Sequence, residues 1–369
     1  MKDFTMVIPS YWGRAGKELI SSEKIVFDHP TPLNENGTLA RLLNSLDVLE
    51  GMEGKIVVIA VANDPEIAAE VGAKVEGLIA PYRSRYDIAC FHQSTLDKVK
   101  RRCADKGVPP EALALLNLDN YAAVRNMCSL AGILNDSGCT VFIDDDEVFT
   151  DPKFLGKIEE NLGKSGPESA IEALAGYYLQ PDTYRLDESK VSPWQKPHWN
   201  NAASMNEAFE RIIGRGPRLK PTPFVFGGNM AVTLEVLKKV PFDPRITRGE
   251  DIDFLLNMRI SGTTMYLDNE LAIKHLPPPS SRPAWKKVRE DAVRFLYERK
   301  KVADHPELSL KDLQPYPGAF LGPDLEQRII KTNELLIRDY ESRGDEEGAR
   351  QCRATIEMAG ENPSAKVDT

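Results

Sequence analysis

The residues best suited to chemistry lie together in the segment 140–149, TVFIDDDEVF, where an apolar run ends in Asp144, Asp145, Asp146 and Glu147. Adjacent carboxylates repel one another and are costly beside a core strand, so something must compensate. A hard divalent cation such as Mg2+ or Mn2+ takes oxygen ligands and cancels that repulsion; a solvated turn after a strand would look the same locally. A second acidic group, RGEDIDFLLNMRISG, places Glu250, Asp251 and Asp253 at the start of a helix whose buried side carries Ile252, Leu255, Leu256 and Met258. The helix dipole favours such acids without any chemistry, or else one of them faces a cleft as a general base. Upstream, FVFGGNMAV sets Gly227, Gly228 and Asn229 after an apolar strand. Paired glycines admit a ligand close to the backbone and the Asn amide can bond a hydroxyl, although a tight turn has the same signature. LAIKHLPPP ends a strand at His275; a lone histidine is more often structural, yet imidazole can complete the shell of a manganese ion.

The elements that must position these groups follow from periodicity. Phe4–Pro9 and Lys55–Ala62 are apolar runs of the kind that form buried parallel strands, and Cys139–Ile143 is a third. Thr38 precedes Leu39, Leu42, Leu43 and Leu46, an N-cap followed by one helical face. Tyr121–Leu134 places Val124, Met127, Cys128, Ala131 and Leu134 on one face before Gly138. Strand alternating with helix indicates an open α/β sheet, in which ligands bind beyond the carboxyl ends of the strands. Two segments depart from that alternation: residues 11–36, carrying DHPTPLNENG, and residues 81–120, rich in basic side chains; both read as surface loops or short helices. Residues 151–223 read as irregular and aromatic, and three charged helices follow Pro283, at 285–303, 324–341 and 346–359.

Composition narrows the class. The chain has 369 residues, 41% hydrophobic and 28% charged, with a formal net charge of -9, which argues against a general nucleic-acid binder. Five cysteines without a C-x-x-C pair indicate neither a disulfide framework nor a structural zinc site. The opening MKDFTMVIPS begins a strand rather than a secretory signal, and no uncharged apolar run approaches a membrane span, so a cytoplasmic location is expected.

Six segments in order, VIPSYWGR, TLARLLNSL, NYAAVRNMCSLAG, VFIDDDEVFTDPKFL, FGGNMAV and GEDIDFLLNMRISG, resemble those of GT-A nucleotide-sugar glycosyltransferases of the family 2 type, over residues 4–276. The resemblance implies a GT-A α/β fold, a Rossmann-like open mixed sheet flanked by helices, with a helical C-terminal extension. It divides the chain into a catalytic domain at 1–284 (donor half 1–150, acceptor half 151–284), helices at 285–359 and a disordered tail at 360–369. It implies a sugar nucleotide as donor and a hydroxylated, carbohydrate-like acceptor, with Mn2+ or Mg2+ as cofactor and a hexose as the transferred sugar. Asp144 and Asp146 would be the DxD pair, with Asp146 the direct metal ligand and Asp144 near the ribose or metal; Asp145 would serve structure or the donor sugar. His275 would be a further metal ligand. Pro9, Ser10, Tyr11, Arg125, Gly227, Gly228 and Asn229 would border the donor, and Asp251, beside Glu250, would be the base of an inverting reaction. Where the family carries Asp-Asp-Gly-Ser to read the base, this chain has Ala62, Asn63, Asp64 and Pro65, with Asp64 as candidate. Tyr177, Tyr178, Trp194 and Trp199 would stack on acceptor sugar faces, or pack a core. The helices after Trp285 would cover the acceptor side or form a contact in a homo-oligomer. Two other readings stand beside this one. Asp144 and Asp146 also fit the first motif of a haloacid-dehalogenase-type phosphatase, as nucleophile and acid/base, and the fold could persist as a non-catalytic sugar-nucleotide-binding module. A pyrophosphorylase would want a glycine-rich loop after the first strand, which YWGRAGKE is not.

Overall fold

The structure, a computed structural model, describes residues 3–15, 26–180, 182–280 and 282–360. Part of the expected 11–36 excursion (16–25) and all of the expected tail beyond residue 360 lie outside the described residues. Ten strands form one sheet: β1 (Phe4–Gly13), β2 (Thr31–Pro32), β3 (Lys55–Ala62), β4 (Asp87–Phe91), β5 (Cys139–Ile143), β6 (Glu147–Val148), β7 (Ala173–Leu179), β8 (Leu219–Pro221), β9 (Asn229–Thr233) and β10 (Met265–His275). Their order is β4-β3-β1-β5-β9-β7-β10-β6, with β2 paired to β1 and β8 to β10. β4, β3, β1 and β5 run parallel, β9 runs against both β5 and β7, and β10 runs parallel to β7. This is the open mixed α/β sheet flanked by helices that the sequence led us to expect, with a helical C-terminal region.

The strands form where the apolar runs are long enough to be covered on both faces. Met6, Val7, Ile8, Val58, Ile59, Val141, Phe142 and Ile143 are all buried, packed under the helices Leu39–Ser45, Ala68–Ile79 and Tyr121–Leu134. Several expectations are corrected. The first strand continues past Pro9 to Gly13, and the 81–120 insertion supplies the parallel edge strand β4 and the helix Gln93–Asp105. The segment 151–223 contains β7, inside the sheet. Thr38 makes no side-chain cap.

By their contacts the described residues divide into two units, one from Met1–Thr183 with Gly216–Ser281 and the other from Tyr184–Arg215 with Arg282–Thr369. Residues 184–215, read from sequence as part of the catalytic domain, therefore group with the C-terminal helices. Within that second unit, Leu325, Ile329, Leu336 and Tyr340 make the buried stripe of the helix Leu325–Ser342. Trp199 is 1% exposed there, with Phe295 and Phe320 at 5.7 and 5.4 Å.

In the sheet unit, one side chain clamps three strands. Asn229 opens β9 opposite Ile143 of β5, is fully buried, and its amide donates to Tyr177 O of β7 at 3.1 Å and to Leu271 O of β10 at 3.0 Å. Gly176 permits this: a Cβ there would collide with Leu271 O and come within 2.5 Å of the Asn229 amide. Asn229 is thus a strand tie, not the donor-binding amide expected from sequence. Asn229→Leu removes both bonds and strands two buried carbonyls; urea unfolding should show the sheet unit weakened by about 2–4 kcal/mol. An unshifted midpoint would show that the amide holds nothing together.

Candidate active site

The order of the sheet reverses at β1, whose neighbours are β3 on one side and β5 on the other, and the crevice beyond their carboxyl ends is where an open α/β sheet takes its ligand. The acids arrive there by register. The pairing Phe4↔Cys139 to Val7↔Phe142, continued three residues, sets Ser10 opposite Asp145, and Ser10 Oγ donates to Asp145 Oδ2 at 2.6 Å while accepting from Trp12 Nε1 at 3.0 Å. On the other side, Ile143↔Asn229 leads Asp144 to Gly228. A Cβ on Gly228 would collide with Glu147 Oε1 and lie 2.6 Å from Asp144 Cγ, and one on Gly227 would lie 2.7 Å from Arg125 Nη2. The paired glycines therefore make room for the protein's own charged side chains rather than for a ligand.

Arg125 is the cation at the centre of this cluster. Asn120 caps the helix Tyr121–Leu134 by accepting from Ala123 N at 2.8 Å, and Arg125, one turn in, is 4% exposed. Its Nη2 donates to Asp144 Oδ2 at 3.0 Å, its Nη1 lies 2.8 Å from Oδ1, and its Nε donates to Glu250 Oε1 at 3.3 Å. Asp144, expected as a metal ligand, thus has both oxygens turned to Arg125. Glu250 is 6% exposed and faces the same guanidinium, so it is a buried partner rather than a group open to substrate. Burial and the neighbouring Asp251 push the Glu250 carboxyl up to about 7, against the pull of Arg125.

Asp251 is half-buried. Its Oδ2 accepts from Gly227 N at 3.1 Å and its Oδ1 from Ile252 N at 2.8 Å, which fixes the carboxylate at the first turn of the helix Glu250–Ile260. Asp146 belongs to a different pairing. His275, the last residue of β10 and opposite Glu147 of β6, places Nε2 3.4 Å from Asp146 Oδ2. The ring stacks on Tyr178 at 4.3 Å, and its Nδ1 lies 3.4 Å from Gln180 Nε2. Tyr178 in turn accepts from Gly228 N at 3.0 Å. Arg41, which sequence did not single out, donates to Leu276 O at 2.7 Å and Asp146 O at 3.3 Å, and Leu276 N donates to Asp146 O at 3.0 Å. Burial opposes ionisation of Asp146, but His275 and the charge of His29 hold its carboxyl below the usual range. Burial and adjacent acids instead raise Asp145 to about 8 and Glu147 well above its ordinary value.

The remaining expectations divide. Tyr11 faces this site and packs with Phe27 (4.4 Å) and Tyr121 (5.4 Å), while Pro9 and Ser10 are buried in β1. Asp64 caps the turn after β3, accepting from Glu66 N at 2.9 Å and from Arg14 Nε at 2.7 Å. Tyr177 and Tyr178 lie at the carboxyl end of β7 in the sheet unit, whereas Trp194 and Trp199 belong to the helical unit and Trp199 is core.

The donor set bears on a divalent metal as follows. Among the described residues no three His, Cys, Asp or Glu side chains form a ready-made cluster. Asp146 and His275 are a carboxylate and an imidazole side by side, suited to Mn2+ or Mg2+ that takes its other ligands from phosphate and water. They stand among Asp144, Asp145, Glu147, Glu250 and Asp251, where burial and mutual repulsion push Asp145 and Glu147 toward their protonated forms, a repulsion that a bound cation would relieve. The pair therefore fits such an ion, and Asp144 does not.

Glu250 gives this site a pH signature. Between about pH 4.5, where the unfolded carboxyl ionises, and about 7, the native state holds a proton that the unfolded chain has lost, so stability falls as pH rises through that window. Denaturant titrations of Glu250→Gln in the presence of chelator should show a shallower fall between those values than the parent. Identical slopes would remove Glu250 as the titrating group.

No family model matches the chain, and no curated protein matches it. Among solved structures the chain is similar to a mannosyltransferase from Pyrobaculum calidifontis in complex with GDP-Man and Mn2+, with TM-score 0.47 and 11% identity over 99% of this chain and 82% of that one. It is similar to GalNAc-T7 with UDP, GalNAc and Mn2+, with TM-score 0.44 and 12% identity over 93% of this chain and 58% of that one. It is also similar to glucosyl-3-phosphoglycerate synthase from Mycobacterium tuberculosis in complex with Mn2+ and UDP-Glc, with TM-score 0.39 and 12% identity over 81% and 79%. At such identities and scores the likeness carries no argument about what this chain binds or does.

Proposed function

We propose that the chain is a divalent-metal-dependent glycosyltransferase that moves a sugar, a hexose by the resemblance of its motifs, from a nucleoside diphosphate to an acceptor hydroxyl. The observation that supports it is the meeting of Asp146 with His275 beside a cluster of buried, mutually repelling carboxyls, at the carboxyl ends of β1 and β5 where the sheet order reverses. Asp146 and His275 would hold the Mn2+ or Mg2+, which supplies Lewis-acid neutralisation of the diphosphate leaving group. Arg125 holds Asp144 in place and keeps one positive charge beneath the site. Ser10 orients Asp145, and Tyr11, backed by Phe27 and Tyr121, borders the nucleotide.

In an inverting reaction Asp251 takes the acceptor proton. It is the half-exposed member of the Glu-Asp pair, and its two backbone bonds hold it in one orientation. At the end of β7, Tyr177 would meet the acceptor, while the Tyr178 ring is taken up by His275 and Phe226 and supports the metal side. The phosphatase alternative asks Asp144 to attack phosphorus, which its bidentate pairing with Arg125 disfavours. Five free cysteines suit a reducing compartment, as a cytoplasmic enzyme would have.

Incubation with UDP-, GDP- and ADP-sugars and Mn2+ should release nucleoside diphosphate from one of them and stop on chelation. Metal-independent hydrolysis of a generic phosphate monoester, with no release from any sugar nucleotide, would overturn the assignment. Asp146→Asn should lose turnover by about a hundredfold or more and lose metal-dependent donor binding with it. Asp251→Asn should lose turnover while keeping donor binding; undiminished turnover in that variant would exclude it as the base.

A further inference from the structure

We propose that the outer face of the helix Gln93–Asp105, with the turn that follows it, docks the protein on a membrane surface rich in anionic headgroups. Lys98, Arg101, Arg102 and Lys106 are all exposed. The spacing 98, 101, 102 and 105 puts the first three on one helical face, and Lys106 follows at the C-cap. Lys100 adds a fifth cation on the flank. Among the described residues none of these five side chains takes part in an ion pair or hydrogen bond. Other arginines of the sheet unit behave differently: Arg14, Arg83, Arg85, Arg125 and Arg218 each have a carboxylate partner. In a chain of net charge -9, a compact group of unpartnered cations is a local exception that sets one preferred orientation toward an anionic surface.

The acids nearby do not cancel it. Asp97 accepts from Gln93 Nε2 at 2.9 Å, and Asp105 is the single acid on the basic face. The helix is also lightly anchored, with Leu96 its one buried side chain. Its other side is therefore free to be covered. After Pro109, the short helix Pro110–Ala114 ends at Leu115, which is 54% exposed, with Leu113 and Leu116 half-buried beside it.

Cations followed by the exposed Leu115 match the two attractions a peripheral protein uses, charge to anionic headgroups and apolar insertion at the interface. A nucleic acid would share the charge but wants stacking faces, and no aromatic residue occurs between Gln93 and Asp119. No helix among the described residues is long and apolar enough to cross a membrane, so the contact is a docking and not a span.

The full chain should co-sediment with vesicles of phosphatidylcholine mixed with phosphatidylglycerol, release as salt is raised, and ignore phosphatidylcholine alone. Lys98→Ala, Arg101→Ala, Arg102→Ala and Lys106→Ala together should weaken binding by roughly several hundredfold, on the order of fivefold for each cation lost. Leu115→Ser should weaken it several-fold on the same vesicles. All five positions are exposed, so unfolding curves of the variants should overlay that of the parent. Equal binding to neutral and anionic vesicles, retention by the fourfold variant, or binding to single-stranded DNA with none to anionic vesicles would each overturn the proposal.

Discussion

The guanidinium of Arg125 is the constraint on which the rest of the site depends. A cation this buried is untenable without close anions, and it finds them on a strand end 19 residues later, at Asp144, and on a helix start 125 residues later, at Glu250. Satisfying it forces the helix Tyr121–Leu134, the end of β5 and the first turn of Glu250–Ile260 to one point. The same requirement excludes any side chain at residue 227. Asp144, held by Arg125, also has its N–H donated to Glu147 Oε2 at 3.2 Å, so the four-acid run folds into a turn that presents Asp146 away from the guanidinium.

The acidic run consequently separates into halves with different electrostatics. On the Arg125 side, the cation and Glu250 are buried and Asp144 is half-buried, each within ion-pair distance of the guanidinium. On the Asp146 side, the neighbouring groups are imidazoles, and the nearest carboxyls are pushed toward their neutral forms by burial. A site built this way resists loss of its frame while leaving one face whose charge depends on what occupies it.

Much of this was legible in the sequence, and the failures have physical causes. β1, β3, β5 and the helices Tyr121–Leu134 and Glu250–Ile260 announced themselves because burial on one or both faces leaves a clean apolar period. β7 did not, because Gly176 interrupts it at the point where Asn229 needs space. β4 is an edge strand with a half-exposed, mixed pattern that reads as loop. The acids themselves were recognisable, but their division was not: whether Asp144 meets a metal or an arginine depends on contacts across 19 and 125 residues that no local pattern encodes.

The interruption of the sheet unit by residues 184–215 sets an order of events during synthesis. β4, β3, β1 and β5 are complete once Ile143 has emerged, but the partner of β5, β9, lies 86 residues further on, beyond a segment that belongs to the other unit. Until then β5 has an open parallel edge and Arg125 lacks Glu250, so a nascent chain carries an unpaired strand and a half-neutralised cation together. Closure of that edge and completion of the charge cluster therefore both wait on residues 229–250.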